Sequence, residues 1–132
     1  MFLFVYGTLI SSEYNHQYLR GSKLVGETHT FGSLYDIGEY PALISDGENC
    51  IKGELYKIDD TVLKECDLLE GYDELDIVNS NYVREEISII FEDKEYYCYV
   101  YYCNFNVENY PEIKSGNYKK HMMKKRNGNK NT

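Results

Sequence analysis

A chain of 132 residues, 42% hydrophobic and 27% charged, has room for one core and not for two. Residues 1–112 hold all 22 acidic residues and seven basic ones, a net charge of −15, while residues 113–132 hold the other seven cations and no acid. An acidic body excludes the basic face that nucleic-acid binding requires, and no apolar stretch is long enough to cross a bilayer. The four cysteines (Cys50, Cys66, Cys98, Cys103) form no CxxC pair, and His16, His29 and His121 are scattered. No metal-ligand spacing results, and free thiols in a reducing cytoplasm are expected rather than a disulfide framework.

Fifteen tyrosines and five phenylalanines tilt the composition towards sheet. Phe2–Tyr6 is a continuous apolar run, the mark of a strand buried on both faces, and it runs directly into a turn at Gly7-Thr8 without the basic leader of a signal peptide. A short helical stretch is expected around Glu13–Leu19. Residues 23–36, interrupted by Gly26 and Gly32, suggest a bent or bulged strand pair. Tyr40-Pro41 makes a turn, since Pro41 forbids helix, and the two strands that follow are split at Asp46-Gly47. Asp59 supplies a helix N-cap, Val62, Leu63, Cys66 and Leu69 recur at helical spacing, and Gly71 is a natural stop. Two long strands, 82–91 and 96–103, face each other across a turn at Glu92-Asp93-Lys94. The remainder reads as irregular, with a basic and flexible tail over 119–132. The fold class is α+β: a barrel-like or curled sheet with one main helix beside it.

Five segments in a fixed order carry more than this. FVYGTL at 4–9, GSLYDIGEYPAL at 32–43, GELY at 53–56, CDLLEGYDE at 66–74 and NYVR at 81–84 together resemble the gamma-glutamylcyclotransferase-like proteins, especially the gamma-glutamylamine cyclotransferase branch. The resemblance covers roughly residues 2–118, and residues 1–118 are taken as one domain of this kind. It implies a mixed β-barrel of six or seven strands with a ligand cavity at one mouth. The implied reaction closes a γ-glutamyl amide to 5-oxoproline and releases the free amine, with a small-molecule γ-glutamyl substrate, no cofactor and no metal. Two departures stand out: the run after YGTL is ISSEYNH, without the glycine that often precedes Asn15-His16, and IKSGNY places Tyr118 near the end.

The chemistry asks for substrate folding, removal of an ammonium proton and protonation of the leaving nitrogen. One carboxyl group can do both proton transfers, and Glu70 is the candidate general base and acid. At the last turn of a helix, the dipole disfavours a further anion and pushes its pKa upward. Tyr6, Gly7, Thr8 and Leu9 are candidate substrate-binding residues, because successive N–H groups of such a turn form an anion nest. Tyr40 and Pro41 are candidates for a pocket wall. Tyr82 alternates with Arg84 on one strand face, so either could touch ligand, and Arg84 could equally pair with an acid. Asp67 reads as structural and His16 as a local hydrogen-bonding group. The alternative reading is a non-catalytic small-ligand-binding or interaction domain of the same fold. A cysteine–histidine hydrolase ranks last, since no cysteine lies in an activating context. The sequence does not fix the oligomeric state or the amine released.

Overall fold

The computed structural model describes residues 1–130. Its centre is β1 (Phe2–Val5), which pairs antiparallel with β3 (Pro41–Lys57) on one side and parallel with β5 (Lys94–Cys103) on the other. β2 (Lys23–Asp36) extends the sheet beyond β3, and β4 (Tyr82–Phe91) extends it beyond β5, giving the order β2-β3-β1-β5-β4. A strand flanked on both edges and covered on both faces must be apolar throughout, and Leu3, Phe4 and Val5 are all buried. The rest of the core comes from the inward positions of its neighbours, among them Leu34, Leu43, Ile51, Leu55, Cys98 and Val100.

The five-stranded sheet curls without closing. β2 and β4 approach where Phe91 packs on Gly26, but no ladder joins them, so the expected barrel of six or seven strands is an open mixed sheet. The expected pairs at 23–36 and 41–57 are single long strands. Between Gly32↔Asn49 and Ser33↔Ile44 the register jumps, so Asp46-Gly47 is a bulge within β3, held by Ser33 Oγ donating to Asp46 O at 2.9 Å. The β4–β5 hairpin turns through Glu92 and Asp93, both at positive φ, the two-residue turn that matches strand twist.

Helix α1 (Asp60–Glu70) begins at Asp59, whose carboxylate accepts from Val62 N at 2.9 Å, and packs Leu63 and Cys66 into the core. It ends at Gly71, left-handed at φ 65, whose N–H closes on the carbonyls of Asp67 and Leu68. Within the stretch expected to be helical around 13–19, His16–Leu19 form a single 3₁₀ turn.

The C-terminal segment departs most from expectation. Residues 111–113 run beside β2, with Asp36 N bonded to Pro111 O at 2.9 Å and Ile113 N to Leu34 O at 2.7 Å. A second helix, α2 (Tyr118–Lys130), follows where an irregular basic stretch is expected. Its anchors explain why it forms: Tyr118 is buried, His121 and Lys125 pair with Asp36 at 2.7 and 3.0 Å, and Arg126 pairs with the buried Glu13 at 3.1 Å. The tail's positive charge is complementary to two acids of the body. The last two residues of that expected tail, 131 and 132, lie outside the described residues.

Candidate active site

Where β1 ends, the chain turns sharply through Tyr6–Leu9, and this turn uses its carbonyls internally. Gly7 O accepts from Ile10 N at 3.1 Å, Thr8 O from Asn15 N at 3.0 Å, and Leu9 O meets His16 Nδ1 at 3.0 Å. Thr8 Oγ1 accepts from Asn15 Nδ2 at 3.0 Å. The N–H groups of Gly7, Thr8 and Leu9 have no acceptor among the described residues. Asn15 and His16 therefore shape the turn, as the local reading of His16 anticipates. Pro41 lies directly against it: a Cβ on Gly7 would fall 2.5 Å from Pro41 Cγ, so only glycine permits the contact. Tyr82 holds that proline by donating its hydroxyl to Pro41 O at 2.8 Å, and Tyr6 donates to Tyr101 O.

These residues close around Glu70. Tyr6, Gly7, Thr8, Leu9, Tyr40, Pro41 and Tyr82, all singled out from sequence, line one narrow recess together with Glu70. Its volume of about 20 Å³ admits one water-sized group, the scale of a carboxylate or carbonyl oxygen rather than a whole substrate. No hydrogen bond from a described residue reaches the Glu70 carboxyl. Its side chain is surrounded by protein yet keeps part of its surface open, and burial raises its pKa from the usual 4.5 to about 7. Loss of water, rather than the helix dipole, is thus the cause of the upward shift that the sequence suggests. Burial first, then the nearby Glu70 charge, push the Tyr6 and Tyr82 hydroxyls upward, so both remain neutral donors.

Asp67, one turn before Glu70, has a different task. It accepts from Tyr101 Oη at 2.7 Å and from the Arg84 guanidinium. Arg84 therefore pairs with an acid, outside the recess, while Tyr82 alone of that strand face reaches it. The recess widens into an outer cleft of about 280 Å³ that shares Thr8, Tyr40, Glu70 and Tyr82 and adds Ile37, Leu69, Asn81 and Phe105. Sequence reading missed these four and Tyr101, because each is an ordinary loop, helix or strand residue brought in by the curl of the sheet. A separate cavity of about 320 Å³ lies between β2, β3 and the start of α2. It is larger, but its buried carboxylate, Glu54, is already occupied by Ser11 N at 2.7 Å, Ser11 Oγ at 2.5 Å and Tyr56 Oη at 3.0 Å. Those three donors already occupy the Glu54 oxygens that a substrate would have to reach, and the smaller recess is the better site.

The family model for gamma-glutamyl cyclotransferase, AIG2-like, matches residues 3–120. The chain belongs to that family. Two relatives both bear the name "Putative gamma-glutamylcyclotransferase": one from Vibrio cholerae, 46% identical over 52% of this chain and 60% of its own length, and one from Methanocaldococcus jannaschii, 32% identical over 89% of this chain and 95% of its own length. The gamma-L-glutamyl-butirosin B gamma-glutamyl cyclotransferase of Niallia circulans is 40% identical over 53% of this chain and 46% of its length. The crystal structure of YkqA from Bacillus subtilis superposes with a TM-score of 0.75 at 27% identity, covering 96% of this chain and 42% of that one. Family membership thus extends over the whole sheet and both helix starts, and no described helix is long and apolar enough to cross a membrane.

Proposed function

We propose that this protein is a gamma-glutamyl cyclotransferase that converts a γ-glutamyl amide into 5-oxoproline and the free amine. The observation that carries this reading is the Glu70 carboxyl, unpaired among the described residues and with a pKa raised to about 7, in a recess lined by Gly7, Thr8 and Leu9, whose N–H groups have no acceptor among the described residues. The N–H groups suit an anionic oxygen, either the substrate α-carboxylate or the oxygen of the attacked carbonyl. Glu70 takes a proton from the substrate α-ammonium, and the freed amine attacks its own side-chain carbonyl carbon. The new C–N bond closes a five-membered ring. The bond to the departing nitrogen then breaks as Glu70 returns the proton to it, and the second hydrogen of the ring nitrogen is lost as a proton that the released amine takes up to leave as an ammonium ion, so the carboxyl ends as it began. A pKa near 7 suits a group that must accept and then donate. Tethering of nucleophile to electrophile supplies the proximity that an intermolecular reaction would lack. The four free thiols fit a reducing compartment such as the cytoplasm.

The test is to incubate the protein with a panel of γ-glutamyl amides, including γ-glutamyl-alanine, γ-glutamyl-ε-lysine and glutathione, and to assay 5-oxoproline. Formation of 5-oxoproline with stoichiometric free amine supports the reading. Binding of panel members without any turnover would favour a non-catalytic ligand-binding domain.

A further inference from the structure

β3 runs beside β1 with Glu54 opposite Val5, the last β1 residue before the chain turns around the recess. Glu54 is buried and has no ion-pair partner among the described residues. Its carboxylate is engaged instead at the far end of that turn. Oε1 accepts from Ser11 N at 2.7 Å and from Tyr56 Oη at 3.0 Å, and Oε2 accepts from Ser11 Oγ at 2.5 Å. Tyr56 extends the contact, since its ring centroid lies 5.9 Å from that of His16, whose Nδ1 meets Leu9 O at 3.0 Å. Ser12, directly after Ser11, is exposed and sits at φ 76, in the left-handed region that a serine keeps only where its surroundings hold it. It lies between two anchored residues, Ser11 on Glu54 and Glu13 on Arg126.

From this arrangement we propose that Glu54 is a positioning residue for the recess, gripping Ser11 so that Gly7, Thr8 and Leu9 stand at a fixed place relative to Glu70. The inference rests on the cyclotransferase reading above and adds to it a residue that acts only through the turn. The bonds inside the turn, from Ile10 N to Gly7 O and from Asn15 N to Thr8 O, fix its shape. They leave its seat on the sheet unset. The Pro41 contact sets that seat at Gly7, and the two bonds from Ser11 set it after Leu9. Ser11 offers its N–H and its hydroxyl together, and a side chain ending in two adjacent polar atoms meets both at once. Small errors matter here, because a misplacement of about 1 Å can lower a rate about 10²-fold.

Two substitutions separate reach from charge. Glu54→Gln loses the charge and keeps the reach: its oxygen can accept from Ser11 N and Tyr56 Oη while its amide donates to Ser11 Oγ. Glu54→Asp keeps the charge and draws it back by one methylene, so the turn must follow or be released. Glu54→Gln is therefore expected to retain about tenfold or more kcat/KM for 5-oxoproline release over Glu54→Asp. The amide N–H shifts of Gly7, Thr8 and Leu9, read by heteronuclear NMR, are expected to move in Glu54→Asp and to stay near wild type in Glu54→Gln. Ser11→Ala removes one of the two bonds, leaves β3 whole and is expected to lower kcat/KM by about 3- to 10-fold. Equal or better turnover by Glu54→Asp than by Glu54→Gln assigns the residue to charge and overturns the proposal. Turn amides that respond to none of the three substitutions overturn it as well. So does a Glu54→Asp protein that loses denaturant stability but keeps kcat and KM, since the role is then structural alone. The amide shifts need no substrate. A wild-type protein that turns over no γ-glutamyl amide thus defeats the cyclotransferase reading, while the NMR comparison still decides the grip on the turn.

Discussion

Replacing Glu70 by Gln separates a catalytic carboxyl from a structural one, because the two roles predict opposite signs in stability. Glutamine keeps the volume and loses the proton chemistry. Burial alone lifts the Glu70 pKa from the usual 4.5 to about 7, so the folded state binds this proton more tightly than the unfolded chain does. Stability from the neutral carboxyl is fully present below pH 4.5 and is lost as pH rises through about 7. At about 1.4 kcal/mol per pH unit the full penalty above pH 7 is at most about 3.5 kcal/mol, less whatever the solvent in the cleft screens. Glu70→Gln is therefore expected to be more stable than wild type at pH 8, by about 1–2 kcal/mol, and equally stable near pH 4.5. Over the same substitution kcat is expected to fall by about 10²- to 10⁴-fold, the usual worth of general acid–base catalysis. The wild-type kcat/KM is expected to decline below pH 7, as the base becomes protonated. Denaturant titrations at pH 5 and pH 8 read the first expectation, and chromatographic 5-oxoproline release reads the other two. A variant that keeps its turnover, or one destabilised at pH 8, refutes the reasoning.

Three further outcomes follow from the walls of the recess and from the C-terminal helix. Gly7→Ala drives a Cβ to 2.5 Å from Pro41 Cγ, so the proline must move; a loss of about 1–3 kcal/mol in denaturant stability and a larger fall in kcat/KM are expected. Tyr82→Phe leaves Pro41 O without its 2.8 Å donor at a buried position, which is expected to cost about 1–2 kcal/mol and to raise KM more than it lowers kcat. Asp36→Asn weakens the hold on α2. Burial pushes the Asp36 pKa up, but hydrogen bonds from His121, Gly38 N and Lys125 outweigh it and hold the carboxyl below its usual 3.8. The stability it contributes is present above that value and is lost as pH falls through the lowered one. Faster amide exchange in α2 at neutral pH, with little change elsewhere, is the expected signature, and unchanged exchange there contradicts it.

The parts of the fold legible in the sequence were those fixed by local chemistry. Phe2–Val5 announces a central strand because every side chain is apolar, Asp59 and Gly71 bracket α1 because cap chemistry is local, and the turn at Glu92-Asp93 follows from two strand-like runs set close together. What escaped depends on partners distant in the chain. Lys119–Arg126 reads as a solvated charge run until Asp36 and Glu13, some 85 and 113 positions away from His121 and Arg126, are seen to receive it. Asp46-Gly47 has the composition of a hairpin turn, and only pairing along the whole of β2 converts it into a bulge. At the site, Glu70, the Tyr6–Leu9 turn, Tyr40-Pro41 and Tyr82 were legible through their motifs, whereas Asn81 and Phe105 carry no local mark of lining a cleft.

In the proposed mechanism, the spacing of Asp67 and Glu70 on α1 resolves a conflict built into any buried proton carrier. A donor bonded to the Glu70 carboxylate would position it, but would also stabilise the charged form and pull its pKa back down. The helix avoids the conflict by placing the anchor three residues earlier. Asp67 takes the Arg84 guanidinium and the Tyr101 hydroxyl, which fixes the end of α1 against β4 and β5, and the left-handed Gly71 stops the helix immediately after Glu70. Glu70 is thus held by its backbone rather than by its oxygens, and its proton affinity is left to burial alone. Loosening Asp67 would then be felt at Glu70 as lost position rather than lost chemistry. This is why Asp67→Asn belongs with the positioning residues, with an expected fall in kcat but an acid limb of the pH profile still near 7. An acid limb displaced by that substitution would show that the two carboxyls act on each other directly.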